Sequence, residues 1–166
     1  MLDIYDVAVV GCGIPGLYLA REFSKKGYKT IIFDRMSTPG EPNYSTAGVI
    51  KELIQKYDLP LEGINEHCNG IYFGTADNFC LKRTKQDYGY VIDFRQTKIL
   101  LSKQIEAAGG TVHWGENIDM VFLENDVYLL NSKVATYRAR YVVDASGISS
   151  NIGENMGVEE RITGKL

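Results

Sequence analysis

The chain has little of what marks a disulfide scaffold, a metal centre, a polyanion binder or a membrane span. Its three cysteines, Cys12, Cys68 and Cys80, are odd in number and show no CxxC spacing and no accompanying histidine pair. That argues against a disulfide framework or a zinc site and for a reducing, cytoplasmic setting. The two histidines, His67 and His113, lack triad or metal spacing. His113 alternates with Val112 and Trp114 and is expected to be structural, and His67 beside Cys68 lacks an orienting third group. Charge of one sign is scarce too. The formal net charge is −3 with no cluster of Lys and Arg, so nucleic acid is not expected as a partner. The apolar run near the amino terminus is too short to span a bilayer and contains glycines, without a cleavable signal pattern. It reads as a core strand, which leaves peripheral membrane contact open.

Glycine, by contrast, is abundant at 17 of 166 residues, and its placement carries the first positive signal. Residues 6–34 read as strand, turn, helix and strand: Asp6 to Val10, then Gly11-Cys12-Gly13-Ile14-Pro15-Gly16, then Leu17 to Lys26, then Thr30 to Phe33 closed by Asp34. Gly11 permits the tight turn, Gly13 lets the backbone approach a pyrophosphate, and Gly16 lets the helix pack closely on the sheet. The first helical turn offers unpaired N–H groups and the positive end of its dipole to a diphosphate, and Pro15 suits that turn because no intrahelical bond is lost there. Asp34 lies about 20 residues beyond Gly11, where a carboxylate accepts hydrogen bonds from adenosine ribose hydroxyls and repels a 2′-phosphate. Cys12 reads as a small buried filler of the loop.

Pro39 to Asn43 form a loop. Val49, Ile50, Leu53, Ile54 and Tyr57 then recur at helical spacing with Lys51, Glu52, Gln55 and Lys56 opposite, which predicts an amphipathic helix. Asn69 to Gly74, Phe79 to Arg83 and Gly89 to Asp93 read as short strands, the first two joined by a hairpin turn at Thr75 to Asn78. Gln96 to Ala108 reads as a second helix stopped by Gly109-Gly110, and Thr111 to Trp114 as a strand. A helix and several strands thus intervene before the chain returns to the parallel sheet, which disfavours a simple nicotinamide dehydrogenase. Met120 to Leu123 and Val127 to Leu130 flank a turn at Glu124-Asn125-Asp126, with Lys133 to Ala139 as a third antiparallel strand before Tyr141 to Asp144. The crossover is expected to be a β-meander.

The segment Tyr141-Val142-Val143-Asp144-Ala145-Ser146-Gly147-Ile148-Ser149-Ser150 ends a strand in a small-residue turn followed by a serine-initiated short helix. It resembles the second dinucleotide-contact motif of flavoproteins of the hydroxylase and geranylgeranyl reductase type, and with the fingerprint at 6–34 it points to FAD rather than NAD. Within that superfamily the chain is similar to the archaeal-type geranylgeranyl, or digeranylgeranylglycerophospholipid, reductases. The resemblance implies an α/β, Rossmann-like FAD-binding fold with a parallel sheet, a β-meander crossover and the start of an antiparallel substrate-domain sheet. It divides the chain into a first FAD-binding segment (1–64), substrate-side strands (65–94) and a second FAD-binding segment (95–166).

Carried over by position, Gly11, Gly13, Ile14, Pro15 and Gly16 face the FAD diphosphate, Asp34 and Arg35 the adenosine side, and Ser45, Thr46, Ala47 and Gly48 a loop near the flavin. Ala145, Ser146 and Gly147 form the turn close to the cofactor. In the family segment before the long helix an arginine contacts the cofactor; here Phe94 holds that position and Arg95 follows it, so either the register slips by one or the contact is lost. The family's cysteine-glycine pair near the flavin is replaced by Tyr44-Ser45-Thr46-Ala47-Gly48, so no cysteine chemistry is transferred and no catalytic residue is assigned. Family members continue into a substrate domain and a later Gly-Asp motif, neither of which follows Ile152, so the chain is expected to be the amino-terminal portion of a flavoenzyme. Three functions follow: a reductase of isoprenoid double bonds in a lipid or prenyl diphosphate, served by an external donor such as reduced nicotinamide or ferredoxin; an aromatic monooxygenase or halogenase, although the Trp-x-Trp-x-Ile-Pro halogenase signature is absent; or a non-catalytic FAD- or ADP-binding fragment. The last two expectations of the resemblance are a carboxyl-terminal partner chain or self-association, and a site on or near the membrane surface for an apolar substrate.

Overall fold

The computed structural model describes residues 3–40, 45, 47–75, 77–147, 150 and 152–157. In chain order its elements are β1 (Ile4–Val10), α1 (Ile14–Lys25), β2 (Thr30–Asp34), β3 (Gly48–Ile50), α2 (Lys51–Lys56), a 3-10 turn (Leu61–Gly63), β4 (Ile64–Cys68), β5 (Gly70–Gly74), β6 (Phe79–Arg83), β7 (Gly89–Ile92), α3 (Phe94–Ala107), β8 (Thr111–Trp114), β9 (Ile118–Glu124), β10 (Val127–Ser132), β11 (Thr136–Asp144) and α4 (Ile152–Asn155).

The main sheet has the order β8-β2-β1-β11-β10-β9. Its first four strands run parallel, and β10 and β9 add antiparallel to β11. Strand alternation divides the core in two. Val7, Val9 and Ile32 pack with Leu17 and Ala20 of α1 and Leu101 and Ile105 of α3. Ala8, Val10, Ile31 and Phe33 point the other way and pack with Ile118, Val121, Leu130, Ala139 and Ile152 of the meander and α4. Cover on both faces is what lets β1 and β2 read as unbroken apolar runs.

The meander is present. Its first turn is a two-residue hairpin in which Asn125 (φ 49°) and Asp126 (φ 61°) both adopt positive φ, the geometry whose twist matches the flanking strands. The expected break between a third meander strand and Tyr141 to Asp144 is not. Thr136 to Ala139 pair antiparallel with β10, and the same strand runs on through Arg140 to pair parallel with β1 as far as Asp144. No turn-forming residue interrupts it, and Arg140 is itself fixed to β1 by an ion pair with Asp6 at 2.9 Å.

Two further differences lie in the middle of the chain. The helix expected from Val49 starts only at Lys51, because Gly48, Val49 and Ile50 pair with Val91, Tyr90 and Gly89 of β7. Branched side chains favour the strand, and a long-range partner overrides the helical spacing. Ile64–Cys68, which lacks apolar alternation, becomes β4 by pairing with the opposite edge of β7. β5 and β6 pair antiparallel as a separate two-stranded sheet, and the Thr75 amide donates to the Asn78 carbonyl (2.7 Å) in the expected connection, of which Ala76 lies outside the described residues.

Arg21 of α1 holds this insertion to the parallel sheet. Its side chain is 0 % exposed, and it donates from Nη1 to the Asp58 carbonyl (2.7 Å) and Gln104 Oε1 (3.0 Å) and from Nη2 to the Tyr57 carbonyl (2.8 Å). One guanidinium thus joins α1, α3 and the carbonyl end of the six-residue α2, a helix too short to be stable alone. Arg21→Met should remove the charged donor from the Tyr57 and Asp58 carbonyls, at about 1.5–3 kcal/mol for each bond to a charged group. The expected outcome is a lower urea midpoint with hydrogen exchange rising first in residues 51–58.

Candidate functional site

The site forms where β1, β2 and β11 end side by side. Gly11 leaves β1 at φ 108° and donates to the Phe33 carbonyl (2.8 Å), while Ala145 donates to the Val10 carbonyl (2.8 Å). Backbone thus fills the space where side chains would stand. A Cβ on Gly11 would lie 2.3 Å from the Ala145 oxygen, and one on Gly16 would lie 2.0 Å from the Gly11 oxygen. A Cβ on Gly13 would meet only the Pro15 ring, at 3.7 Å. Gly11 and Gly16 are therefore required by the fold, whereas the room beside Gly13 is left for something else.

The amino end of α1 fits that reading. Gly13 is its N-cap, Pro15 sits in the first turn, no side chain caps it, and its first turn carries no acid. In α3, by contrast, the Asp93 carboxylate accepts from the Gln96 amide. The first-turn amides of α1, around Ile14, are available to an anion aligned with the helix dipole, the requirement of a diphosphate.

Asp34 closes the loop from the β2 side. Its Oδ2 accepts from the Cys12 amide (2.7 Å) and its Oδ1 from the Met36 amide (2.9 Å). Each oxygen has accepted one bond, so each retains a lone pair for a ribose hydroxyl. Cys12 is fully buried, and burial, followed by the nearby Asp34 charge, pushes its thiol well above the usual value. It is the inert filler expected from the sequence.

Asp144 plays the corresponding part at the end of β11. Its carboxylate accepts from the Ser146 amide (3.0 Å) and from the Ser146 and Ser150 hydroxyls, and Ser150 Oγ in turn accepts from the Ile152 amide at the start of α4. Burial pushes the Asp144 carboxyl up, but the bonds from Ser146 and Ser150 outweigh it and hold the group below the ordinary aspartate value. Gly147 turns at φ 80°.

The sequence-derived residues divide into groups. One cavity brings together Gly11, Asp34, Arg35 and Ser146, and adds Glu116, Asn117 and Ile118 from the turn between β8 and β9. A neighbouring hollow is lined by Pro15, Ala145 and Gly147 with Tyr128, Val142 and Met156. The loop expected on the flavin side lies elsewhere: Ser45 Oγ accepts from the Ala47 amide (3.0 Å), Ala47 is tied through its carbonyl to Ile92, and Gly48 lines an apolar groove with Cys68, Tyr88 and Tyr90. Thr46 lies outside the described residues. The stem of exposed Arg95 packs against Gly40, where a Cβ would lie 2.2 Å from its Cγ, and Arg95 lines none of these three cavities.

Glu116 was not foreseen as a site residue. Its side chain is 10 % exposed and accepts from His113 Nδ1 (2.7 Å), the Tyr137 hydroxyl (2.9 Å) and Ser132 Oγ (2.6 Å). Burial raises its carboxyl, and these three bonds bring it below the usual range; Tyr137, buried beside that charge, is pushed up to about 12. His113 is structural, its ring set between Phe33 and Tyr137 at 5.3 and 5.4 Å. His67 does have a partner, Asp87 at 2.8 Å, but the pair is exposed, and strand alternation turns the adjacent Cys68 to the opposite face.

The glycine geometry separates folding from binding. Gly13→Val should keep a native circular dichroism spectrum and lose ADP binding, whereas Gly16→Val, driven into backbone, should cost about 1–3 kcal/mol or more in urea denaturation. Asp144 makes a second test. A carboxyl held low in the folded state adds stability that is present above its unfolded value and lost as pH falls through the folded one. Asp144→Asn should therefore be less stable than the parent at pH 7, and should lose less between pH 5 and pH 2, within the range of about pH 5 to 1 expected for such a group, when urea midpoints are compared.

Comparison with known proteins agrees with this geometry. The family model described as FAD binding domain matches residues 4–166. A digeranylgeranylglycerophospholipid reductase of Methanosarcina acetivorans is 27% identical over 169 residues, covering 96% of this chain and 42% of that protein, and one of Picrophilus torridus is 24% identical, covering 97% and 44%. The chain thus spans less than half the length of these relatives. Among solved structures, a geranylgeranyl bacteriochlorophyll reductase-like protein of Thermoplasma acidophilum superposes with a TM-score of 0.85 at 23% identity, over 99% of this chain and 44% of that one. A p-nitrophenol 4-monooxygenase of Pseudomonas putida gives 0.81 at 15% identity, over 95% and 44%. The structural likenesses are of fold, and the family match covers nearly the whole chain: the chain belongs to the FAD binding domain family, with FAD as its cofactor.

Proposed function

We propose that this chain is the FAD-binding part of a flavin-dependent reductase that saturates isoprenoid double bonds of a lipid or prenyl diphosphate. The observation that carries the proposal is the similarity to the Methanosarcina acetivorans reductase along 96% of the chain, combined with an α1 amino end and a Gly13 surface left open to a diphosphate. In such an enzyme the bound flavin supplies the hydride and electron transfer. The residues of this chain bind and orient it: Gly13, Ile14, Pro15 and Gly16 at the diphosphate, Asp34 and Arg35 at the adenosine, Ser45 to Gly48 on the flavin side, and Ala145 to Gly147 between.

The substrate is an apolar prenyl chain, delivered on or near a membrane surface in the cytoplasm. The electrons come from an external donor, reduced nicotinamide or ferredoxin. Among the described residues no helix is long and apolar enough to cross a bilayer. Residues 65–94 belong with the substrate-side strands, and the isoalloxazine is covered by a carboxyl-terminal portion or partner chain. Exposed Tyr72, Phe73 and Phe79 on β5 and β6 are consistent with such a cover.

The test is reconstitution. The 166-residue chain alone should bind ADP and FAD modestly, with little yellow colour and no turnover, since an open isoalloxazine forgoes most of its burial energy at about 25 cal/mol per Å². Together with the carboxyl-terminal portion and a chemical reductant it should saturate a prenyl lipid, seen as a gain of two hydrogens per double bond by mass spectrometry. Hydroxylation or halogenation of an aromatic substrate in place of saturation would transfer the assignment to the monooxygenase reading.

A further inference from the structure

The cavity that holds Asp34 contains a second carboxylate, and its hydrogen bonds are unevenly distributed. Oε2 of Glu116 accepts from both His113 and Tyr137, whereas Oε1 accepts only from Ser132. A carboxylate oxygen has two lone pairs, so Oε2 is saturated and Oε1 retains one acceptor position in a side chain that lines the cavity. The group is also rigidly placed. Its own amide donates to the Asp34 carbonyl (2.8 Å), and the preceding Gly115 amide donates to the Met36 carbonyl (2.7 Å), which binds the turn between β8 and β9 to the end of β2.

Among the other polar side chains on the cavity wall, Arg35 is a cation with donors only, so it offers no acceptor. The Ser146 and Ser150 hydroxyls donate to Asp144, and the Asn117 amide donates to Asp119. Asp34 belongs to the glycine-loop side, where the sugar is expected. On the same cavity wall, Glu116 offers a fixed acceptor that calls for an N–H donor. The adenine edge presents such a donor in its 6-amino group, and hypoxanthine and guanine present an oxygen acceptor at the same position.

We propose that Glu116 selects the base: Oε1 accepts a hydrogen bond from the 6-amino group of adenine and rejects a 6-oxo purine by placing two acceptors face to face. The proposal rests on the FAD-binding reading and adds to it a residue that determines which purine the site admits. His113 and Tyr137 are positioning residues that occupy Oε2 and so leave the free acceptor position at Oε1.

Calorimetric titration of the full chain with ADP and with IDP tests this directly. ADP should bind about tenfold or more tightly than IDP. Glu116→Gln should bring the two affinities close together, because the amide nitrogen can donate to the 6-oxygen. Ser132→Ala breaks the 2.6 Å bond but leaves the carboxylate in place, and should retain the preference for ADP. Equal binding of ADP and IDP by the parent chain would overturn the assignment even if Glu116→Gln failed to fold. So would an unchanged ratio in Glu116→Gln, or a Ser132→Ala variant that lost the preference to the same degree, the result expected of a merely structural acid. A parent chain that bound neither nucleotide would remove this proposal together with the FAD-binding reading, whereas binding without discrimination would remove this one alone.

Discussion

The site is built on close packing of backbone on backbone: a Cβ on Gly16 would lie 2.0 Å from the Gly11 carbonyl oxygen, and one on Gly11 would lie 2.3 Å from that of Ala145. These contacts bring α1 down onto the ends of β1 and β11, and the cofactor-facing geometry follows. With α1 so placed, its first turn stays free of a side-chain cap, Asp34 reaches the Cys12 amide, and Asp144 gathers the Ser146 amide at the end of β11. A fold that needs glycine at two positions thereby leaves open space beside a third, Gly13.

The parts legible in the sequence are those whose partners are local. The strand, turn, helix and strand of residues 6–34, the hairpin at Asn125-Asp126 and the helix ending at Gly109-Gly110 are each set by residues a few positions apart, and each is present. What escaped depends on distant partners. Val49 and Ile50 carry a helical spacing that β7 overrides, Ile64–Cys68 carries almost no pattern and becomes a strand because β7 has a second edge, and β11 stays continuous because it has neighbours on both sides.

The site divides the same way. Gly11, Gly13, Gly16 and Asp34 form a local motif with a physical reason for each residue. Glu116 stands in a polar turn and looks like any solvated acid until His113, Ser132 and Tyr137, from three different strands or their ends, converge on it. Arg21 is similar: an arginine on an amphipathic helix ordinarily faces water, and its complete burial is explained by acceptors from the Tyr57 and Asp58 carbonyls, Gln104 and Glu22. In both cases the residues that satisfy the charge are mostly distant in sequence, so the local pattern carries no decisive signal.

The continuity of β11 has a consequence for the order of assembly. The central strand β1 finds β2 after a short loop and helix, but its other edge waits for a strand more than a hundred residues downstream, as the Asp6–Arg140 pair measures. Such long loop closures are entropically slow. During synthesis the glycine turn therefore emerges long before Ala145 arrives to pack against it, and the nucleotide site is among the last features of the chain to be completed. An amino-terminal strand with one open edge is, in the interval, the nascent chain's point of exposure to misassociation.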